Sequence, residues 1–162
     1  MPRDAQASDN LKMPPQDTEA EIAVLGALML DKDAIFRVLD ILTAKDFYKP
    51  AHQKIYEAML DLVDKHEPID ATTVRGRLKE KRELEGVGGT TYLSTVVNAV
   101  PTTAHALHYA KVVSRKRIHR DLIHAASQIS EMAYDEKNDI EETLDNVEQT
   151  VFSISQNSLP QQ

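Results

Sequence analysis

Glycine and proline are spread so unevenly along this chain that they divide it before any other feature is weighed. All five glycines lie at or before Gly89, and no proline falls between Pro101 and Pro160, so residues 102–159 contain neither. A stretch of that length without a helix breaker is free to form long helices, whereas the breaker-rich part before it must turn often. Two units are expected: a compact globular helical bundle over 17–101, then a long helix and helical hairpin over 102–155. Residues 1–16, polar and with three prolines, read as a disordered leader, and 156–162 as the start of a linker.

The second unit carries the clearer periodicity. One long helix is expected from Ala104 to about Tyr134, in which Ile118, Leu122, Ala125, Ile129 and Met132 step by four and three residues. Asp139 with Glu142 can cap a second helix, where Ile140, Leu144, Val147, Val151 and Ile154 repeat the stepping. Two seams of equal period joined by a polar turn at 135–138 describe an antiparallel hairpin with coiled-coil packing. Ile123, Ala126 and Phe152 fall beside that seam and widen the apolar stripe beyond what two helices can cover. A second copy is expected to cover it, giving self-association through a four-helix bundle. Charge sorts with the two arms: Lys111, Arg115, Lys116, Arg117 and Arg120 open the first, while 131–148 holds eight acidic residues against Lys137 alone.

The first unit reads as short helices. Thr18 and Glu21 have the spacing of a capping box ahead of Ile22, Leu25 and Met29, giving a helix up to Leu30. A short helix over 34–39 and a turn at Thr43 and Asp46 follow. Ile55, Tyr56, Met59, Leu62 and Val63 then form one stripe over 51–65. Asp70 caps a helix carrying Val74 and Leu78, and Gly86, Gly88 and Gly89 force a loop before Tyr92, Leu93, Val96 and Val97. Strand-like alternation is nowhere sustained, so the fold class is all-α.

Several chemistries lose their footing in the sequence. Cysteine is absent, which removes disulfides, thiolate metal sites and a cysteine nucleophile together. The G-V-G-G cluster at 86–89 lacks the lysine of a phosphate loop, and no G-x-S-x-G occurs. His105 and His119 stand fourteen residues apart on the long helix, roughly 21 Å of rise, so with His108 and His124 they cannot converge on one ion. His52 reads as a packing or hydrogen-bonding residue. The longest apolar run is nine residues, Ile22 to Leu30, far below the ~20 of a membrane span. No catalytic, cofactor-binding or metal-binding residue is therefore expected, nor any membrane contact, and the location expected is cytoplasmic. With 26 acidic and 19 basic residues the net charge is −7, so DNA contact through 111–120 should be weak, or arise only in an assembled ring.

Five blocks carry a resemblance: P-P-Q-D-T-E-A-E-I-A-V-L-G-A at 14–27, D-F-Y-K-P-A-H-Q-K-I at 46–55, P-I-D-A-T-T-V at 68–74, G-G-T-T-Y-L at 88–93 and V-P-T-T-A-H-A-L-H-Y-A at 100–110. In order and spacing they resemble the N-terminal domain of bacterial replicative DNA helicases of the DnaB type, over roughly 14–155. His105 departs from the pattern, which has asparagine there. The resemblance implies a helical bundle followed by a hairpin, assembling as a collar of hairpin-joined dimers above a motor ring. ATP and magnesium would belong to that motor domain, which this chain lacks, so no ATP hydrolysis is expected of it.

The partners the resemblance implies are further copies of the chain, from dimer to hexamer, the C-terminal domain of primase, and a helicase loader. For hairpin pairing the candidates are Ile118, Leu122, Ile123, Ile129, Leu144 and Val151, which supply apolar area. For primase docking they are Glu19, Tyr92, Arg115 and Ile123. The rival reading is a stand-alone helical regulator that binds DNA or the helicase.

Overall fold

The computed structural model describes residues 12–100 and 102–158. Most of the leader expected over 1–16, Pro101 at the expected boundary and 159–162 of the expected linker lie outside the described residues. Within them the chain is all-helical: α1 (Thr18–Leu30), α2 (Ala34–Val38), α3 (Pro50–Asp64), α4 (Ala71–Glu80), α5 (Gly89–Asn98), α6 (Ala106–Tyr134) and α7 (Ile140–Ser158). Single 3-10 turns at Ala44–Asp46 and Thr103–His105 precede α3 and α6.

Helix α1 is apolar on nearly every side because it is the centre of the bundle. Every residue from Ala20 to Met29 except Ile22 is buried, including Val24, Leu25 and Leu28. The capping box expected from Thr18 and Glu21 does not form. Asp17 is the N-cap, its Oδ1 accepting from Ala20 N at 2.9 Å, and Glu21 turns inward. An aspartate one residue earlier reaches the free amides of the first turn, which releases Glu21 for the interior.

Gly26 is where α5 and the residues after it cross α1. A Cβ there would lie 2.6 Å from the Val96 carbonyl oxygen and against the Val100 side chain. Backbone cannot yield as a flexible side chain does. Gly26→Ala is therefore expected to cost about 1–3 kcal/mol, read as a lower urea midpoint at unchanged slope. An unchanged midpoint would deny the close approach.

The remaining bundle follows its sequence signals. Pro50 opens α3, whose Tyr56 packs 5.2 Å from the Phe47 ring and donates its hydroxyl to Leu42 O at 3.0 Å. Asp70 caps α4 through Thr73 N at 2.8 Å, and Thr73 Oγ1 accepts in return from Asp70 N. The glycine loop enters α5 with Gly88 at φ 112°, a left-handed backbone that a Cβ would strain.

Asp61 ties α3 to α4, its Oδ2 accepting from Arg77 Nε at 3.0 Å and Lys81 Nζ at 3.2 Å. Partial burial raises its carboxyl, but the hydrogen bonds and charges of Arg77 and Lys81 outweigh that and hold it below the ordinary carboxylate range. A depressed folded value contributes stability above the unfolded pKa of about 3.9 and loses it as pH falls through the folded one. Asp61→Asn is thus expected to flatten the acid limb of a stability–pH curve below about pH 4; an unaltered limb would count against the bridge.

Packing moves the change from bundle to hairpin into the long helix itself. Ala106, Ala110 and Val113 belong to the bundle core, and Arg120 still reaches bundle backbone. Only beyond there does α6 pair with α7 alone. The connecting turn is closed by Asp135, which accepts from Lys137 N and Asn138 Nδ2.

Candidate functional site

Two features stand out, one interior and one exposed. In the interior, Glu21 Oε2 accepts from Tyr48 N at 2.9 Å, and Oε1 accepts from Lys49 N at 3.4 Å and lies 2.7 Å from His52 Nδ1. His52 Nε2 is 2.6 Å from the Tyr92 hydroxyl, and the two rings stack at 5.9 Å and 10°. Each polar atom is satisfied when Nδ1–H donates to Glu21 and Nε2 accepts from Tyr92. Burial, then the Glu21 charge, raises the Tyr92 hydroxyl above its ordinary value, which keeps it a donor.

A carboxylate, an imidazole and a phenol in a row could in principle pass a proton. Glu21 and His52 are 1% and 0% exposed, however, so no substrate reaches them. The relay instead joins the starts of α1, α3 and α5, and no buried side-chain N or O among the described residues lacks a partner. It was not legible in advance, since Glu21 matched a capping pattern equally well; a histidine just inside α3 was the available hint.

Arg120 fixes the long helix to this region. Its Nη1 donates to Pro15 O at 2.8 Å, its Nη2 to Asp46 O at 2.7 Å, and its guanidinium lies 5.4 Å over the Tyr48 ring. Arg117 is also engaged, with Asp121 at 2.8 Å and Asp46 at 3.9 Å. The basic run at 111–120 is therefore narrower than its sequence suggests. Of its five cations, Lys111, Arg115 and Lys116 make neither an ion pair nor a side-chain hydrogen bond among the described residues.

The hairpin is the exposed feature. Burial along α6 follows Ile118, Asp121, Ala125, Ile129 and Met132, and along α7 Thr143, Val147, Thr150 and Ile154. Ile118 and Ile129 thus lie in the seam as expected. Leu122 (47% exposed), Leu144 (55%) and Val151 (48%) do not, which corrects the heptad reading. The reason lies in Thr143 and Thr150, whose hydroxyls donate to Asp139 O and Asn146 O of their own helix. With their polar atoms satisfied locally, these threonines serve as seam residues and α7 turns its leucine and valine outward.

At 100° per residue, Leu122 and Ala126 on α6 fall on the same side of the hairpin as Ile140, Leu144 and Val151 on α7. Ile123 (57%) and Phe152 (62%) continue that face around its outer edge. Together these residues leave an apolar stripe uncovered along both arms.

The four residues expected to dock primase are not brought together as one site. Glu19 lies exposed beside Asp17, His108 and Tyr109 in a depression between α1 and α6. Arg115 lines a separate groove of about 730 Å³ with Leu39, Ile41, Lys45, Lys111 and Ile118. Tyr92 is half-buried on His52, and Ile123 is on the hairpin. No group of three potential metal ligands occurs among the described residues, and no helix among them is long and apolar enough to cross a membrane.

The fold is thus an all-helical bundle that presents a hairpin with an uncovered apolar stripe. Residues 13–115 match the model of the DnaB-like helicase N terminal domain, and the chain belongs to that family. It is 42% identical over 145 residues to the replicative DNA helicase DnaB of Geobacillus stearothermophilus, covering 90% of this chain and 32% of the relative. To the replicative DNA helicase DnaC of Bacillus subtilis (strain 168) it is 43% identical over 147 residues, 91% of this chain and 32% of the relative. The chain thus spans about a third of the length of these relatives.

Among solved structures, the N-terminal domain of DnaB helicase from Mycobacterium tuberculosis superposes with a TM-score of 0.81 at 40% identity, over 87% of this chain and 99% of that one. A DnaB-like replicative helicase, described with its interactions with primase, gives 0.72 at 27% identity over 85% of this chain and 31% of that one.

Proposed function

We propose that this chain acts as the collar of a replicative helicase, joining subunits hairpin to hairpin and offering primase a docking platform, while ATP hydrolysis and strand translocation belong to a motor domain outside it. The observation that carries this reading is the uncovered face of Leu122, Ala126, Ile140, Leu144 and Val151, apolar beyond what the seam uses. A surface of that kind binds protein. Primase enters through the helicase relative described with it. Ile123 remains the candidate docking residue best placed for contact, because it is exposed on the hairpin, whereas the Tyr92 hydroxyl is already engaged by His52. An independent DNA-binding role has less support, since Arg117 and Arg120 are held by protein groups and the net charge is −7.

Calorimetric titration with the C-terminal domain of primase from the same organism tests the docking half. Saturable binding is expected, weakened about tenfold or more by Ile123→Asp. Absence of heat and of co-elution with a folded chain would mean that this domain alone is no docking platform.

A further inference from the structure

The groove of about 730 Å³ at the root of the hairpin carries charge that no protein group answers. It lies between residues 39–46 and the face of α6 that Lys111, Ser114, Arg115 and Ile118 share through their spacing of three and four. Leu39, Ile41 and Ile118, each half-buried, give it an apolar floor. Lys45, Lys111 and Arg115 stand around that floor, and none of the three makes an ion pair or a side-chain hydrogen bond among the described residues. Three carboxylates also line the groove, but Arg117 already engages two of them, Asp46 at 3.9 Å and Asp121 at 2.8 Å. Three free cations therefore face one free carboxylate, the exposed Asp40.

We propose that this groove binds a free nucleoside polyphosphate, its base on the apolar floor and its phosphates among Lys45, Lys111 and Arg115. The guanidinium of Arg115 can take two phosphate oxygens at once, and the two lysines act as point charges beside it. The volume falls within the ~300–1,000 Å³ of small-molecule sites, which likewise combine an apolar lining with a few convergent polar groups. A nucleic-acid strand suits the groove less well. Continuing along α6 it would meet the carboxylates of Asp121 and Asp46 roughly 15 Å beyond Lys111, where the lining turns acidic.

Titration of the nitrogen-15-labelled chain with magnesium-free ATP, followed by its amide resonances, tests this. Saturable shifts confined to 39–46 and 111–118 are expected. Because floor and cations act on one ligand, ATP should bind about tenfold or more tighter than either inorganic tripolyphosphate or adenosine. Lys45→Glu, and Lys111→Glu with Arg115→Glu, should each weaken ATP about tenfold or more with melting unchanged, since all three side chains are exposed. Lys116→Glu makes the same change of charge on α6 outside the groove and should alter the affinity by no more than about twofold.

Four results would each overturn the proposal. Shifts that do not saturate by ~10 mM ATP would deny a site. An equal loss from Lys116→Glu, or tripolyphosphate binding as tightly as ATP, would reduce the effect to charge alone. A thymidine oligonucleotide that moves the same amides at lower concentration than ATP would give the groove to a nucleic-acid strand. Binding that vanishes as the chain is concentrated would give it to a second copy.

Discussion

Glu21→Ala should cost about 3–5 kcal/mol, a large part of the 5–15 kcal/mol that holds a domain of this size together. The substitution leaves Tyr48 N, Lys49 N and the buried His52 ring without their shared acceptor, and a buried donor without a partner retains its full desolvation cost. Glu21→Gln keeps one carbonyl oxygen and should lose less. Urea unfolding followed by circular dichroism measures both. A loss below about 1 kcal/mol for alanine would mean that the relay is not what locks the starts of α1, α3 and α5 together.

Leu122→Asp should separate two effects that a purely helical-wheel reading merges. Were Leu122 in the seam between α6 and α7, a charge there would unfold the hairpin at a cost of several kcal/mol. Because it is 47% exposed and on the outer face, melting should change by no more than about 0.5 kcal/mol, while self-association weakens about a hundredfold. Thermal melting with sedimentation of the same sample checks both halves. Unfolding would return Leu122 to the seam; unchanged association would remove it from the interface.

What the sequence made legible was set by residues whose role is local. Gly88, Pro50 and Asp70 act within a turn of themselves, so the glycine loop, the start of α3 and the cap of α4 fall where their chemistry puts them. The breaker-free run after 102 became α6 and α7 for the same reason. Glu21 and Arg120 act over long distances in the chain, on residues 27 to 31 and 74 to 105 positions away. Spacing within one segment holds no record of such partners.

The hairpin shows a third situation. Its existence was readable from period, but its rotation was not, because leucine and valine suit both a seam and an interface. The threonines that decide the matter look polar until their hydroxyls are seen bonded to their own helix. Reading Ile140, Leu144 and Val151 as seam from their period therefore misplaced them, since all three are exposed on the outer face.

On the proposed reading, the uncovered hairpin face is covered by another copy of this chain. Sedimentation equilibrium of the unmodified chain over a wide concentration range at low salt tests it most directly. A reversible, concentration-dependent rise from monomer to dimer or larger species is expected. A folded chain that stays monomeric up to millimolar concentration would contradict it.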